Sequence, residues 1–285
     1  MASETGEHGG SRRRLGASVM LHSTLAVASF IAVFPVLWIV LSSLKPAQFI
    51  RSSTITLFKS PTLSNYEYVL RHTEFPRWFL NSVVVAVFTM AFGITMSATA
   101  GYALSRFNFP GKRSLMWVFL VTQMFPVAIL IVPIYTIMSK LGLIDTPVSL
   151  VITYCSVAVP FCAWMMKGYF DTIPRELDEA GRMDGLGPWG TFWRIALPLA
   201  KPGIAVTMFY TFITAWGEVA YASAFLQTNN RFTLAYGLQQ FVPQFNPRWE
   251  YLTAAAVLVT VPAGIVFILV QRHLVSGLTA GGLKG

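Results

Sequence analysis

The 285 residues are 54% hydrophobic and only 12% charged, with 21 lysines and arginines against 12 acids. A soluble domain carries about 25% charged residues, so this chain cannot clothe its surface for water, and its apolar excess faces lipid. The formal charge of +9 does not indicate nucleic acid, because the basic residues flank apolar blocks instead of forming one stripe.

Residues 1–18 read as a polar N-tail that contains Arg12, Arg13 and Arg14. The apolar run after it is about 26 residues long, beyond a secretory h-region, which predicts a retained span. Six blocks can cross a bilayer, at roughly 19–44, 79–103, 114–139, 147–167, 203–226 and 253–272. Of the 12 acids only Glu218 lies deep inside a block, and no lysine or arginine does. With both termini cytoplasmic, the inner segments hold 13 basic residues and the outer ones 8. That is a positive-inside bias, although the first outer loop opposes it. The expected fold is therefore all-α and integral to the membrane, with about six transmembrane helices.

Within the spans, Gly93, Ser97 and Gly101 form a small-residue stripe suited to close helix packing. Pro35, Pro126, Pro133, Pro160 and Pro262 are candidate kinks. Cys155 and Cys162 lie two turns apart on one helix face, too far to bridge, and read as packing residues.

Between spans four and five, residues 171–201 read as a helical hairpin. Asp171 or Thr172 is a candidate cap, and Pro174 suits a first turn. Glu176, Asp178 and Glu179 sit where the helix dipole favours acids. Gly185 and Gly187 allow a turn, and Pro188 opens a second helix carrying Trp189, Phe192, Trp193, Ile195 and Leu197. Pro198 and Pro202 then kink or end it. Periodicity leaves two readings open: a hairpin lying on the membrane surface, or a knob that enters a groove on a partner protein.

Glu179-Ala180-Gly181, Asp184-Gly185 and Ile195-Ala196-Leu197-Pro198 resemble, at matching spacing, the EAA-type loop of importer permeases in the ATP-binding-cassette superfamily. The departure is Gly181, where a second Ala is usual, and it is expected to loosen the first helix. Arg77 to Ser82, Gln123 to Pro126, Lys167 to Phe170 and the tail from Gln271 onward are similar to the maltose-type G-subunit class of carbohydrate permeases. The resemblance spans about Pro35 to Gly285. It implies a permease domain over 19–275, a cytoplasmic coupling hairpin at 171–201 and a cytoplasmic C-tail at 276–285.

The resemblance further implies that Glu179, Ala180, Gly181, Asp184, Gly185, Leu197 and Pro198 dock on an ATPase subunit. Thr279, Gly281, Gly282 and Lys284 in the tail would reach between two such subunits. It implies as partners a homologous permease, two ATPase subunits and an extracytoplasmic sugar-binding protein, in the inner membrane of a bacterium with both termini cytoplasmic. ATP and Mg would be held by the ATPases, for this chain shows no G-x-x-x-x-G-K-[ST] cradle, catalytic constellation or metal spacing. No cofactor is expected on it, and no enzymatic activity.

The implied cargo is maltose or maltodextrin; the alternatives are another disaccharide or oligosaccharide, such as trehalose, or an ion-coupled secondary transporter. Glu218 has three open readings: a path-lining group, a hydrogen bond across a subunit interface, or a proton site. Gln123, Tyr154, Tyr210, Trp216 and Tyr221 join it as candidate path-lining residues, since aromatic faces and polar groups suit sugars.

Overall fold

The computed structural model describes residues 7–50, 60–243 and 245–282, with side-chain environments running from Ser18 to His273. Every long element among these residues is a helix: α1 Glu7–Ser43, α2 Ser64–Arg71, α3 Phe75–Arg106, α4 Lys112–Thr122, α5 Val127–Lys140 and α6 Pro147–Asp171. The hairpin follows as α7 Glu176–Met183 and α8 Pro188–Leu199, then come α9 Lys201–Gly217, α10 Ala220–Phe225 and α11 Trp249–Gly282.

Four of these are single helices long and apolar enough to cross a membrane, and two bent pairs raise the number to six. The structure thus offers four to six candidate spans; the second bent pair joins the hairpin arm α8 to α9, and neither the third nor the fifth expected block is one continuous helix. Span three breaks into α4 and α5, which meet at 107°. Pro126 is the cause: it lacks an N–H and turns extended, at φ −60° and ψ 135°. Pro35, Pro133, Pro160 and Pro262 all lie within helices that continue through them. Span five ends its helix at Gly217, extends at Glu218 (ψ 133°) and resumes as α10.

The small-residue stripe does what its spacing predicts. Gly93, Ser97 and Gly101 are all buried on α3. A methyl on Gly101 would lie 2.7 Å from Met166 Cβ and 2.9 Å from the Lys167 backbone nitrogen, so α3 and α6 cross nearly backbone to backbone. At Gly93 the added carbon would meet the Thr211 methyl of α9 at 3.2 Å. Cys155 and Cys162 are free and buried, as packing residues should be. Span α1 stands apart, exposed along its apolar stretch and packed chiefly on α11.

Opposite the hairpin, the segment after α10 is pinned to the start of α3. Trp78 Nε1 donates to the Asn229 carbonyl (2.8 Å), Asn81 Nδ2 to those of Asn230 and Phe232, and Ser82 Oγ accepts from the Leu234 amide (2.6 Å). Asp145, between α5 and α6, accepts the Gln227 amide (2.9 Å), the Thr228 amide (3.1 Å) and the Thr228 hydroxyl (2.6 Å), and pairs with Arg231.

Candidate functional site

The hairpin owes its shape to a few residues. Glu176, Asp178 and Glu179 occupy the first turn of α7, beside the positive end of its dipole. Its other end is a Schellman motif: the Leu186 amide reaches the Gly181 carbonyl (2.9 Å) and the Gly185 amide that of Arg182 (3.0 Å). Gly185 holds φ +80°, a left-handed geometry that L side chains resist. Gly187, at φ −73°, uses none of its extra freedom.

Gly181 lies within α7, which runs on to Met183. It is buried, and an added methyl would fall 2.7 Å from Ile195 Cδ1 and 3.6 Å from Leu186 Cδ1. Ile195 of α8 fills the space that an alanine methyl would need, so the two arms close against each other. The expected cap at Asp171 or Thr172 is absent. Asp171 belongs to α6, where its carboxylate binds Ser105 Oγ (2.6 Å) and Lys167 Nζ (2.5 Å). Thr172 turns its hydroxyl back to the Tyr169 carbonyl.

In α8 the five residues Phe192–Ala196 form a π turn, and the Leu197 amide bonds to the Phe192 carbonyl. The wider turn accommodates Pro198, which has no amide to give its own helix. An 80° bend then joins α8 to α9, with Pro202 in the new first turn.

The apolar arm divides in two. Phe192 is buried with Tyr102 of α3 and Phe170 of α6, at ring-centroid distances of 5.0 and 6.3 Å. Enclosing such a side chain is worth about 1.5–3 kcal/mol over leaving it in water. Trp189 and Trp193 remain 66% and 57% exposed. Glu179, Ala180, Asp184, Gly185 and Pro198 are exposed with them, while Leu197 is half-buried. The hairpin is therefore seated on its own bundle by one aromatic and presents a second face outward.

Arg106, for which the sequence suggested no role, and Asp178, read there only as an acid favoured by the helix dipole, hold it there. Arg106, at the end of α3, brings Nε to 2.6 Å from Asp178 Oδ2, with the side chains 7% and 10% exposed. Beside them lies a small polar cavity of about 120 Å³, lined in part by Tyr102, Arg175 and Thr191. The only advance signals were an arginine ending an apolar block and an acid beside Glu179.

In the middle of the bundle both breaks are tied to one turn of α6. Gln123, at the first break, is exposed and donates through Nε2 to the Val157 carbonyl (3.1 Å). Glu218, at the second, accepts the Tyr154 hydroxyl (2.8 Å), the Tyr221 amide (2.8 Å) and the Ala222 amide (3.2 Å). The carboxylate thus satisfies the first amides of α10 and is bonded inside its own chain. Tyr154, Trp216 and Tyr221 are buried, and half-buried Tyr210 packs against Phe161 with ring centroids 4.6 Å apart and planes tilted by 40°. In the tail, Thr279, Gly281 and Gly282 continue the backbone of α11, where side chains are not described, and Lys284 lies outside the described residues.

A helical bundle with broken spans and one braced, outward-facing hairpin defines a multi-pass membrane protein. The comparisons narrow the class. The family described as "Binding-protein-dependent transport system inner membrane component" matches residues 93–280. The chain is 34% identical to the maltodextrin transport system permease protein MalD of Streptococcus pneumoniae, over 96% of this chain and 98% of that protein. It is 37% identical to the maltose/maltodextrin transport system permease protein MalG of Vibrio vulnificus, over 89% and 91%. It also matches the galactooligosaccharides transport system permease protein GanQ of Bacillus subtilis at 34%, over 92% and 93%. Its fold is that of a chain in the crystal structure of a bacterial ABC transporter for the acidic polysaccharide alginate, with a TM-score of 0.79, 22% identity and coverage of 95% and 99%. The chain belongs to the binding-protein-dependent transport system inner membrane component family.

Proposed function

We propose that this chain is one permease of an ATP-driven importer for malto-oligosaccharides, forming half of the path and coupling it to ATPase subunits. The observation that carries the reading is the hairpin: α7 and α8 stand exposed between spans four and five, closed by the Gly185 motif and anchored at their base. A surface segment that merely floated on lipid would need neither a buried ion pair nor a fixed turn.

On this reading the hairpin lies in the cytoplasm, both termini are cytoplasmic, and Glu179, Ala180, Gly181, Asp184, Gly185, Leu197 and Pro198 form or shape the docking face. The partners are a second permease, two ATPase subunits that bind ATP and Mg, and an extracytoplasmic sugar-binding protein. Gln123 and Tyr210 supply polar and aromatic surface to the path. Tyr154, Trp216, Glu218 and Tyr221 hold the breaks behind it. Thr279, Gly281, Gly282 and Lys284 serve the ATPases through the tail, so removing residues 279–285 should lower ATPase stimulation by loaded binding protein.

Malto-oligosaccharide cargo is supported by the names of the relatives above at 34–37% identity. The test is reconstitution of the purified assembly in liposomes with ATP inside and binding protein outside. Uptake of labelled maltotriose, with little of trehalose, is the expected result. ATPase stimulation without maltotriose uptake would reject the cargo, and failure to co-purify with an ATPase would reject the importer reading.

A further inference from the structure

The chain joins the hairpin covalently to α6, through residues 172–175, and to α9 through Ala200. It has no covalent link to α3. Even so, the polar bonds at the hairpin's base converge on the end of α3. Arg106 Nε meets Asp178 Oδ2 at 2.6 Å, and Arg106 Nη2 donates to the Ile173 carbonyl at 3.0 Å. Arg175 Nη2 donates to the Ser105 carbonyl at 3.3 Å, and Ser105 Oγ to Asp171 at 2.6 Å. Each bond joins the tip of α3 to the stretch 171–178.

Stability does not explain this arrangement. Desolvation cancels most of the attraction in a buried ion pair, and apolar side chains of similar volume usually serve as well or better. The ion pair instead sets the separation of its two ends, and direction comes from the hydrogen bonds of Arg106 Nη2 to the Ile173 carbonyl and of Arg175 Nη2 to the Ser105 carbonyl. The neighbouring rings of Tyr102, Phe170 and Phe192 bury area, but apolar contact alone lets one surface slide on another. From α3, displacement has a short way to travel: Gly101 leaves no space between α3 and α6, and Gly93 little between α3 and α9.

We propose that Arg106 and Asp178 are positioning residues for coupling: their ion pair is the strut that makes the hairpin, α3 and α6 move as one body when the ATPases close. The strut rests on the importer reading above. It predicts that weakening the pair separates ATP consumption from sugar movement while the assembly survives.

The test compares Asp178→Asn and Arg106→Gln with the double variant Arg106→Met/Asp178→Leu, all in the complete assembly in liposomes. Co-purified ATPase, ATP consumed and labelled maltotriose accumulated are measured together. Each single variant leaves one buried charge alone and should lose assembly yield as well as transport. The apolar double variant removes both charges and should restore the yield, yet carry at least about tenfold less maltotriose per ATP. Wild-type stoichiometry in the double variant would overturn the strut, since apolar packing would then suffice. Failure of the double variant to co-purify would also overturn it, by assigning the pair to assembly. If the wild-type assembly itself carries no maltotriose, the cargo assignment fails separately, and the same variants are compared with a labelled galactooligosaccharide as the cargo.

Discussion

The Tyr154 hydroxyl donates to Glu218 Oε2 at 2.8 Å, fastening the break in span five to the middle of span four. The same carboxylate holds the amides of Tyr221 and Ala222. Removing the hydroxyl with Tyr154→Phe should cost about 1.5–3 kcal/mol, the range for a hydrogen bond to a charged group. Glu218→Gln should assemble normally but transport several-fold more slowly, because a neutral amide keeps an acceptor oxygen and holds α10 less firmly. Thermal unfolding followed by tryptophan fluorescence, alongside sugar uptake, checks both. Wild-type uptake by Glu218→Gln would remove this residue from the working parts of the protein.

Gly101 and Gly93 belong to one stripe but should answer differently to alanine. At Gly101 the new carbon meets α6 backbone at 2.9–3.0 Å, and backbone has nowhere to go. Overpacking of that kind costs about 1–3 kcal/mol. At Gly93 a methyl of Thr211 at 3.2 Å need give only slightly, and the helix gains about 0.5–1 kcal/mol from losing a glycine. Yields of folded, monodisperse protein and melting temperatures in detergent should therefore fall for Gly101→Ala and stay near wild type for Gly93→Ala.

Gly181 and Ile195 should be coupled. Gly181→Ala alone sets a helix-propensity gain of about 0.5–1 kcal/mol against a contact 2.7 Å from Ile195 Cδ1. Ile195→Val deletes that atom. In its presence Gly181→Ala should become clearly favourable, with an interaction energy of at least about 0.5 kcal/mol in a double-mutant cycle. Simple additivity would show that the arms of the hairpin do not touch there in solution.

The Asp145 clasp predicts acid sensitivity. Burial raises the Asp145 pKa, but hydrogen bonds from Thr228 and Gln227 and the Arg231 charge outweigh it, so the carboxyl is held below its ordinary value. A group whose folded pKa is depressed adds stability that is fully present above its unfolded pKa, about 3.9, and is lost as pH falls through the folded value. Protection of the Gln227 and Thr228 amides, measured against their intrinsic exchange rates, should fall below about pH 4 in the wild type. Asp145→Asn should exchange faster at neutral pH and lose that acid-dependent step. An unchanged pH profile in the variant would show that another group controls the loop.

Much of this molecule was legible from local pattern. Hydrophobic run length marked the membrane-crossing blocks, because a bilayer imposes a length that composition alone can meet. The acids of the first turn, the glycine at 185 and the proline at 188 marked the hairpin, because caps and left-handed turns are local chemistry. Local chemistry did not show that Gly181 leaves room for Ile195 in the other arm, and it misled at Asp171, whose carboxylate is taken by Ser105 and Lys167.

By itself, then, the sequence determined that this is a many-span helical membrane protein with one polar hairpin, since periodicity, length and turn residues act between near neighbours. Only the tertiary structure decided which prolines break their spans, that Glu218 caps α10 and receives Tyr154, and that Arg106 grips Asp178. Those choices turn on how closely α3, α6 and α9 can approach. That distance is fixed by side chains meeting across 60 residues or more of chain, where no local pattern can carry it.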